Sequence, residues 1–101
     1  MTESNGGNGT AHPSTGPLRR TVVIVNPFGL HMRPATDFFE LAISGPWDVA
    51  VWKGDKRANG KSLWDLIGLC VMQNNEVILE VDGDGANDVI NRLADILANP
   101  G

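Results

Sequence analysis

Between Thr21 and the C-terminus, seven strand- or helix-patterned segments follow one another on connections too short for parallel crossovers throughout. Thr21 to Val25 is a β-branched run, the composition of a buried strand. Asn26-Pro27-Phe28-Gly29 breaks it. From Met32 the apolar residues Ala35, Phe38, Phe39 and Ala42 fall on one helical face, and Gly45-Pro46 ends that helix. Trp47, Val49 and Val51 alternate with Asp48, Ala50 and Trp52, which predicts a half-buried strand. Gly54-Asp55 turns the chain into a short strand over Lys56 to Asn59. Ser62-Leu63-Trp64-Asp65 has the form of a capping box and opens a short helix reaching about Cys70. Asn74-Asn75 suits a tight turn, and Glu76 to Asp82 is the last strand. Ala86, Val89, Ile90, Leu93 and Leu97 then repeat with helical period. The order βαββαβα predicts an α+β domain: an antiparallel sheet with helices packed on one face.

A chain of 101 residues supports one core rather than two. Its first residues have nothing to bury. Met1 to Pro17 is mostly Gly, Ser, Thr, Asn and Pro, so residues 1–18 read as a disordered tail and 19–101 as the domain. His12 in that tail reads as incidental. A net charge of -4 argues against a general nucleic-acid binder. Cys70 stands alone, so no intrachain disulfide or zinc cluster is expected, and it reads as a small buried residue in a reducing compartment. Asp65 interrupts the longest apolar run, and the N-terminus has no apolar signal core. No membrane insertion and a cytoplasmic location are expected, with a monomer as the default state. Asp82-Gly83-Asp84-Gly85 begins like a calcium loop, but Leu93 holds the position where a bidentate glutamate is needed. It reads as a strand-to-helix turn, and no metal or cofactor is expected.

The chemistry gathers at Gly29-Leu30-His31-Met32-Arg33-Pro34-Ala35. Pro34 suits the first turn of a helix, where its missing N–H is not needed. That places His31 at or just before the N-cap, with the free N–H groups of Met32 and Arg33 directed beside the imidazole. A helix N-terminus with unpaired donors attracts anions, and the Arg33 guanidinium matches phosphate oxygens. Imidazole is nucleophilic near neutral pH once one ring nitrogen is unprotonated, which the positive helix end favours. Position alone also allows a plainer reading, with His31 a polar loop residue and Arg33 a surface cation.

This stretch resembles the active-site signature Gly-Leu-His-Ala-Arg-Pro-Ala of the HPr family, agreeing at six of seven positions. HPr proteins are the histidine-containing phosphocarriers of the phosphoenolpyruvate-dependent sugar phosphotransferase system. Asn59-Gly60-Lys61-Ser62 is similar to the family's second motif, and length and element order agree over about Arg20 to Ala98. The resemblance implies an open-faced sandwich of four antiparallel strands covered by three helices. It implies a stoichiometric carrier, not an enzyme. His31 would take a phosphoryl group from Enzyme I on Nδ1 and pass it to an EIIA-type partner, with Arg33 and the Met32 N–H holding the phosphate. Ser62, which by position is a helix N-cap, would also be a target of an HPr kinase/phosphorylase.

The resemblance further implies that Leu63, Trp64 and Ile67, with Met32, form an apolar docking patch, while Leu66 and Leu69 face the core. Three residues depart from the family. Met32 replaces the usual alanine after the histidine, and Glu40 and Ile43 stand where basic residues are common. A second reading is a regulatory binding module, in which phosphorylation at His31 or Ser62 controls a kinase or transcription factor without sugar transport.

Overall fold

Val77, Leu79 and Val81 are buried to within 1% exposure while Ile78 and Glu80 between them face outward, so one face of the last strand is covered, and its pairing on both edges places it inside the sheet. The computed structural model describes residues 16–101. Its elements are β1 (Leu18–Val23), α1 (Met32–Ala42), β2 (Asp48–Lys53), β3 (Lys56–Asn59), α2 (Leu63–Gly68), β4 (Glu76–Asp82) and α3 (Ala86–Ala98). The four strands form one antiparallel sheet in the order β1-β4-β2-β3. The register aligns Val22 with Val77, Val49 with Val81, and Val51 with both Leu79 and Ala58, so one face is continuously apolar.

The helices cover that face. α1 contributes Ala35, Phe38 and Ala42, all at 0% exposure, with Phe39 packed at the margin. α3 contributes Val89, Ile90, Leu93, Ala94 and Leu97, and α2 contributes Leu66. α3 packs on β1, β4 and α1, while α2 packs on α1 and β3. The glycine of the second motif leaves room for part of this packing. A Cβ on Gly60 would stand 2.4 Å from Val49 Cγ1 and 3.1 Å from Phe38 Cε1.

Several expectations shift at their edges. β1 starts at Leu18 rather than Thr21, because Leu18 pairs with Val81 and the next two residues find partners. Arg19 Nε donates to Glu80 Oε2 at 3.0 Å, and Arg20 Nη1 donates to Asn91 Oδ1. The strand ends at Val23, yet Ile24 stays tied to the following turn, its N–H donating to the Asn75 carbonyl at 2.9 Å. Ala50 is buried although its strand reads as half-exposed; it lies between Glu80 and Asn59, whose longer side chains flank the methyl group. Residues 1–15, with His12, lie outside the described residues.

Cys70 is corrected outright. It is exposed, not buried. α2 ends at Gly68, Leu69 turns into the core at 3% exposure, and Cys70 takes a left-handed φ of 53° that reverses the chain. Lys53 Nζ donates to the Cys70 carbonyl at 2.9 Å and holds the turn.

Two outcomes are expected. Phe38→Ala should lower unfolding free energy by about 3–5 kcal/mol in urea titration, the usual cost of emptying a fully buried aromatic site. On the open face, the Glu80 carboxylate accepts from Trp52 Nε1 at 3.1 Å and from Arg19. The Trp52 hydrogen bond, with smaller help from Arg19 and Arg57 and against some burial, holds its pKa below the ordinary 4.5. A depressed carboxyl pKa adds stability above the unfolded value that is lost as pH falls through the folded one. Glu80→Gln should therefore flatten the decline of the urea midpoint below pH 4.5.

Candidate functional site

The approach to α1 depends on a residue without a side chain. Gly29 has a φ of 67°, and a Cβ there would lie 2.2 Å from the Val71 carbonyl oxygen. The same carbonyl accepts the N–H of Leu30 at 3.0 Å, so the chain is pinned to the α2–β4 connection one residue before the histidine. Leu30 and Val71 are both buried. His31 follows as the N-cap with extended φ/ψ of -89° and -175°, and its carbonyl accepts the first helical bond from Ala35 N at 3.0 Å. The N–H groups of Met32 and Arg33 precede that bond and have no partner among the described residues. Pro34 has no N–H to satisfy, and the first turn contains no acidic residue.

The imidazole is half-buried and held on one edge. Asn26, 6% exposed, directs its amide Nδ2 at His31 Nε2 over 3.2 Å. The backbone fixes which amide atom faces the ring, because Asn26 Oδ1 accepts the N–H of Phe28 at 2.9 Å. Phe28 meets the ring edge-on with centroids 5.7 Å apart. His31 Nδ1 has no partner among the described residues.

Beside the ring lies a cleft of about 430 Å³ lined by residues 26–28, His31, Arg33, Pro34, Asp37, Ile96 and 99–101. Arg33 is exposed and forms no ion pair among the described residues. The imidazole thus caps a helix end whose first backbone donors are unpaired, and the exposed Arg33 lines the same cleft as the ring. That arrangement can hold a tetrahedral anion on a ring nitrogen.

The other predicted residues occupy α2 and its approach. Ser62 is the N-cap of α2, and its Oγ accepts from Asp65 N at 3.2 Å. Asp65 Oδ2 in turn accepts Asn59 N at 3.0 Å, which ties the second motif to the helix. Ser62 does not line the His31 cleft. Trp64 is 75% exposed and Met32 49%, on helices that pack together. Leu63 and Ile67 are half-buried and rest against the core, while Leu66 and Leu69 lie inside it. Asn26 is the residue that sequence reasoning missed. It reads as part of a turn, and the only local signal is its place before Pro27 in an Asx-type bend.

A family model described as the PTS HPr component phosphorylation site matches residues 18–99. The phosphocarrier protein HPr of Haloferax volcanii is 35% identical over 85 residues, covering 82% of this chain and 96% of that protein. Among solved structures, HPr-C-His from Thermoanaerobacter tengcongensis superposes with a TM-score of 0.75 at 35% identity, over 79% of this chain and 90% of that one. The catabolite-repression protein Crh of Bacillus subtilis, described as a dimer with a swapped domain, superposes with a TM-score of 0.64 at 32% identity, over 75% of this chain and 87% of that one.

Proposed function

The chain belongs to the HPr family of phosphotransferase-system phosphocarriers, and on that premise we propose that His31 carries the phosphoryl group on Nδ1. Family members are carriers and not enzymes. One observation supports His31 above the others: its ring stands at the open N-terminus of α1 with Nδ1 unpartnered, beside the free donors of Met32 and Arg33. In the proposed reaction phospho-Enzyme I is the donor. The proton on Nδ1 passes to solvent or to the donor's imidazole, which frees the in-plane lone pair of Nδ1; that pair forms the bond to phosphorus as the donor's N–P bond breaks and its electrons return to the donor ring. Arg33 and the two N–H groups balance the phosphoryl charge, so transfer depends on positioning and electrostatics. An EIIA-type domain then takes the group by the reverse chemistry, in the cytoplasm.

Docking is assigned to exposed Met32 and Trp64, with Leu63 and Ile67 as their half-buried support. Ser62 is the proposed regulatory position. A phosphate there would sit at the start of α2, but it would displace the bond from Asp65 N and face the Asp65 carboxylate. The likeness to Crh favours a regulatory branch as the second reading, with an HPr kinase/phosphorylase acting on Ser62 and a transcription factor as the reader.

The test is incubation with phosphoenolpyruvate and a cognate Enzyme I, read by intact mass before and after acid and base treatment. The expected product gains one phosphate that acid removes and base does not. His31→Ala should gain none while keeping its circular dichroism, and Arg33→Ala should be labelled roughly 10–100-fold more slowly. Labelling that survives loss of His31 would remove it from the reaction. No labelling of the wild-type chain by an active Enzyme I would favour the regulatory reading.

A further inference from the structure

Asn26 is the buried polar side chain of the described core, and its two amide atoms are both committed. Oδ1 accepts from Phe28 N, so Nδ2 is the atom that faces His31 Nε2, and an amide nitrogen can only donate. Nε2 must therefore be an acceptor. In the neutral ring that arrangement puts the proton on Nδ1. Protonation of Nε2 would set an N–H against the amide N–H at 3.2 Å.

The consequence falls on the phosphorylated ring. With phosphorus on Nδ1, the remaining lone pair is on Nε2. If Nε2 takes a proton, imidazole becomes a good leaving group. Water then bonds to phosphorus, the N–P electron pair returns to Nδ1, a proton is released, and inorganic phosphate departs from a neutral ring protonated on Nε2.

We propose that Asn26 is a positioning residue that keeps Nε2 of phospho-His31 unprotonated and so delays loss of the phosphoryl group to water. This rests on the reading of His31 as the carrier. The charged residues that line the cleft beside the ring are Arg33 and Asp37 on α1. From beyond the end of α3, Asn99, Pro100 and Gly101 line the cleft, and none of their side chains titrates. The loop side offers Asn26, Pro27 and Phe28, none of them ionisable. All of these are retained in the variants below, and Asn26→Asp also keeps the acceptor for Phe28 N, so the pair separates the contact with Nε2 from the loop brace.

The experiment has two arms. In the unphosphorylated full chain, nitrogen-15 signals of the His31 ring in the neutral form should place the proton on Nδ1. A proton resident on Nε2 in the wild type would overturn the proposal without any variant. In the second arm, potassium phosphoramidate labels the ring without Enzyme I, and phosphorus-31 signals follow hydrolysis from pH 5 to 9. Asn26→Ala should move the onset of rapid hydrolysis upward by about one pH unit, with a roughly tenfold shorter half-life on the slope. Asn26→Asp keeps an acceptor for Phe28 N but offers a carboxylate to Nε2, and should move the onset further in the same direction. Identical profiles for the three proteins, or phosphorus attached to Nε2, would refute the role of Asn26. Failure of Enzyme I to label a chain that phosphoramidate does label would instead count against the carrier reading, leaving the Asn26 result intact.

Discussion

The contact on which the site depends is the one between the Val71 carbonyl and the backbone of Gly29 and Leu30. That oxygen accepts the Leu30 N–H and occupies the space a Cβ on Gly29 would need. It locks the strand-to-helix loop onto the segment between α2 and β4, and thereby sets where α1 can begin. Leu30 goes inward, His31 stays at the surface as the N-cap, and the next two N–H groups are left open. Asn26 braces the same loop from within by accepting Phe28 N while its carbonyl accepts Gly29 N. The geometry of the imidazole is thus a property of loop packing more than of the helix itself.

Charge is distributed so that this end of α1 stays positive. The chain as a whole carries -4, yet the first turn of α1 holds no acid and Arg33 is free of ion pairs among the described residues. The acids on α1 come later, at Asp37 and Glu40. At the start of α2 the opposite holds, because Asp65 sits in the first turn and uses its carboxylate to bind Asn59 N. Two helix starts of similar appearance therefore differ in how their donors are satisfied. One is capped by its own side chain, while the other has no side-chain cap and no acid, the arrangement that suits an anion.

Most of this fold is legible in the sequence because each element carries its own period. The buried residues of β4, α1 and α3 fall where alternation or helical spacing puts them. Most failures are places where the outcome depends on a neighbour distant in sequence, and one is a local turn. Leu18 to Arg20 join β1 through pairing with β4 and bonds to Glu80 and Asn91, which no local pattern announces. Ala50 is covered by adjacent strands. Cys70 leaves the core because α2 stops after six residues and the chain turns through a left-handed residue, a conformation more often filled by glycine. In the site, His31 and Arg33 are visible as a motif, whereas Asn26 acquires its role only when the turn brings its amide against the ring.

The Met32 departure is best understood through the same geometry. Alanine is usual after the histidine in the resembled signature, and a larger side chain there could either crowd the phosphate or face a partner. Met32 does not line the cleft beside His31, and it is half exposed at the first position of α1. What the site offers an anion at this position is the backbone N–H, which methionine supplies as well as alanine does. On the proposed reading the exchange leaves phosphate binding untouched and enlarges the apolar surface at the start of α1. Glu40 and Ile43 are exposed further along the same helix and likewise lie outside the cleft. On the proposed reading, all three departures change what a partner meets and none changes what the phosphoryl group meets. On that reading, what sets this chain apart is recognition, while the imidazole keeps the setting that Gly29, Asn26 and Val71 give it.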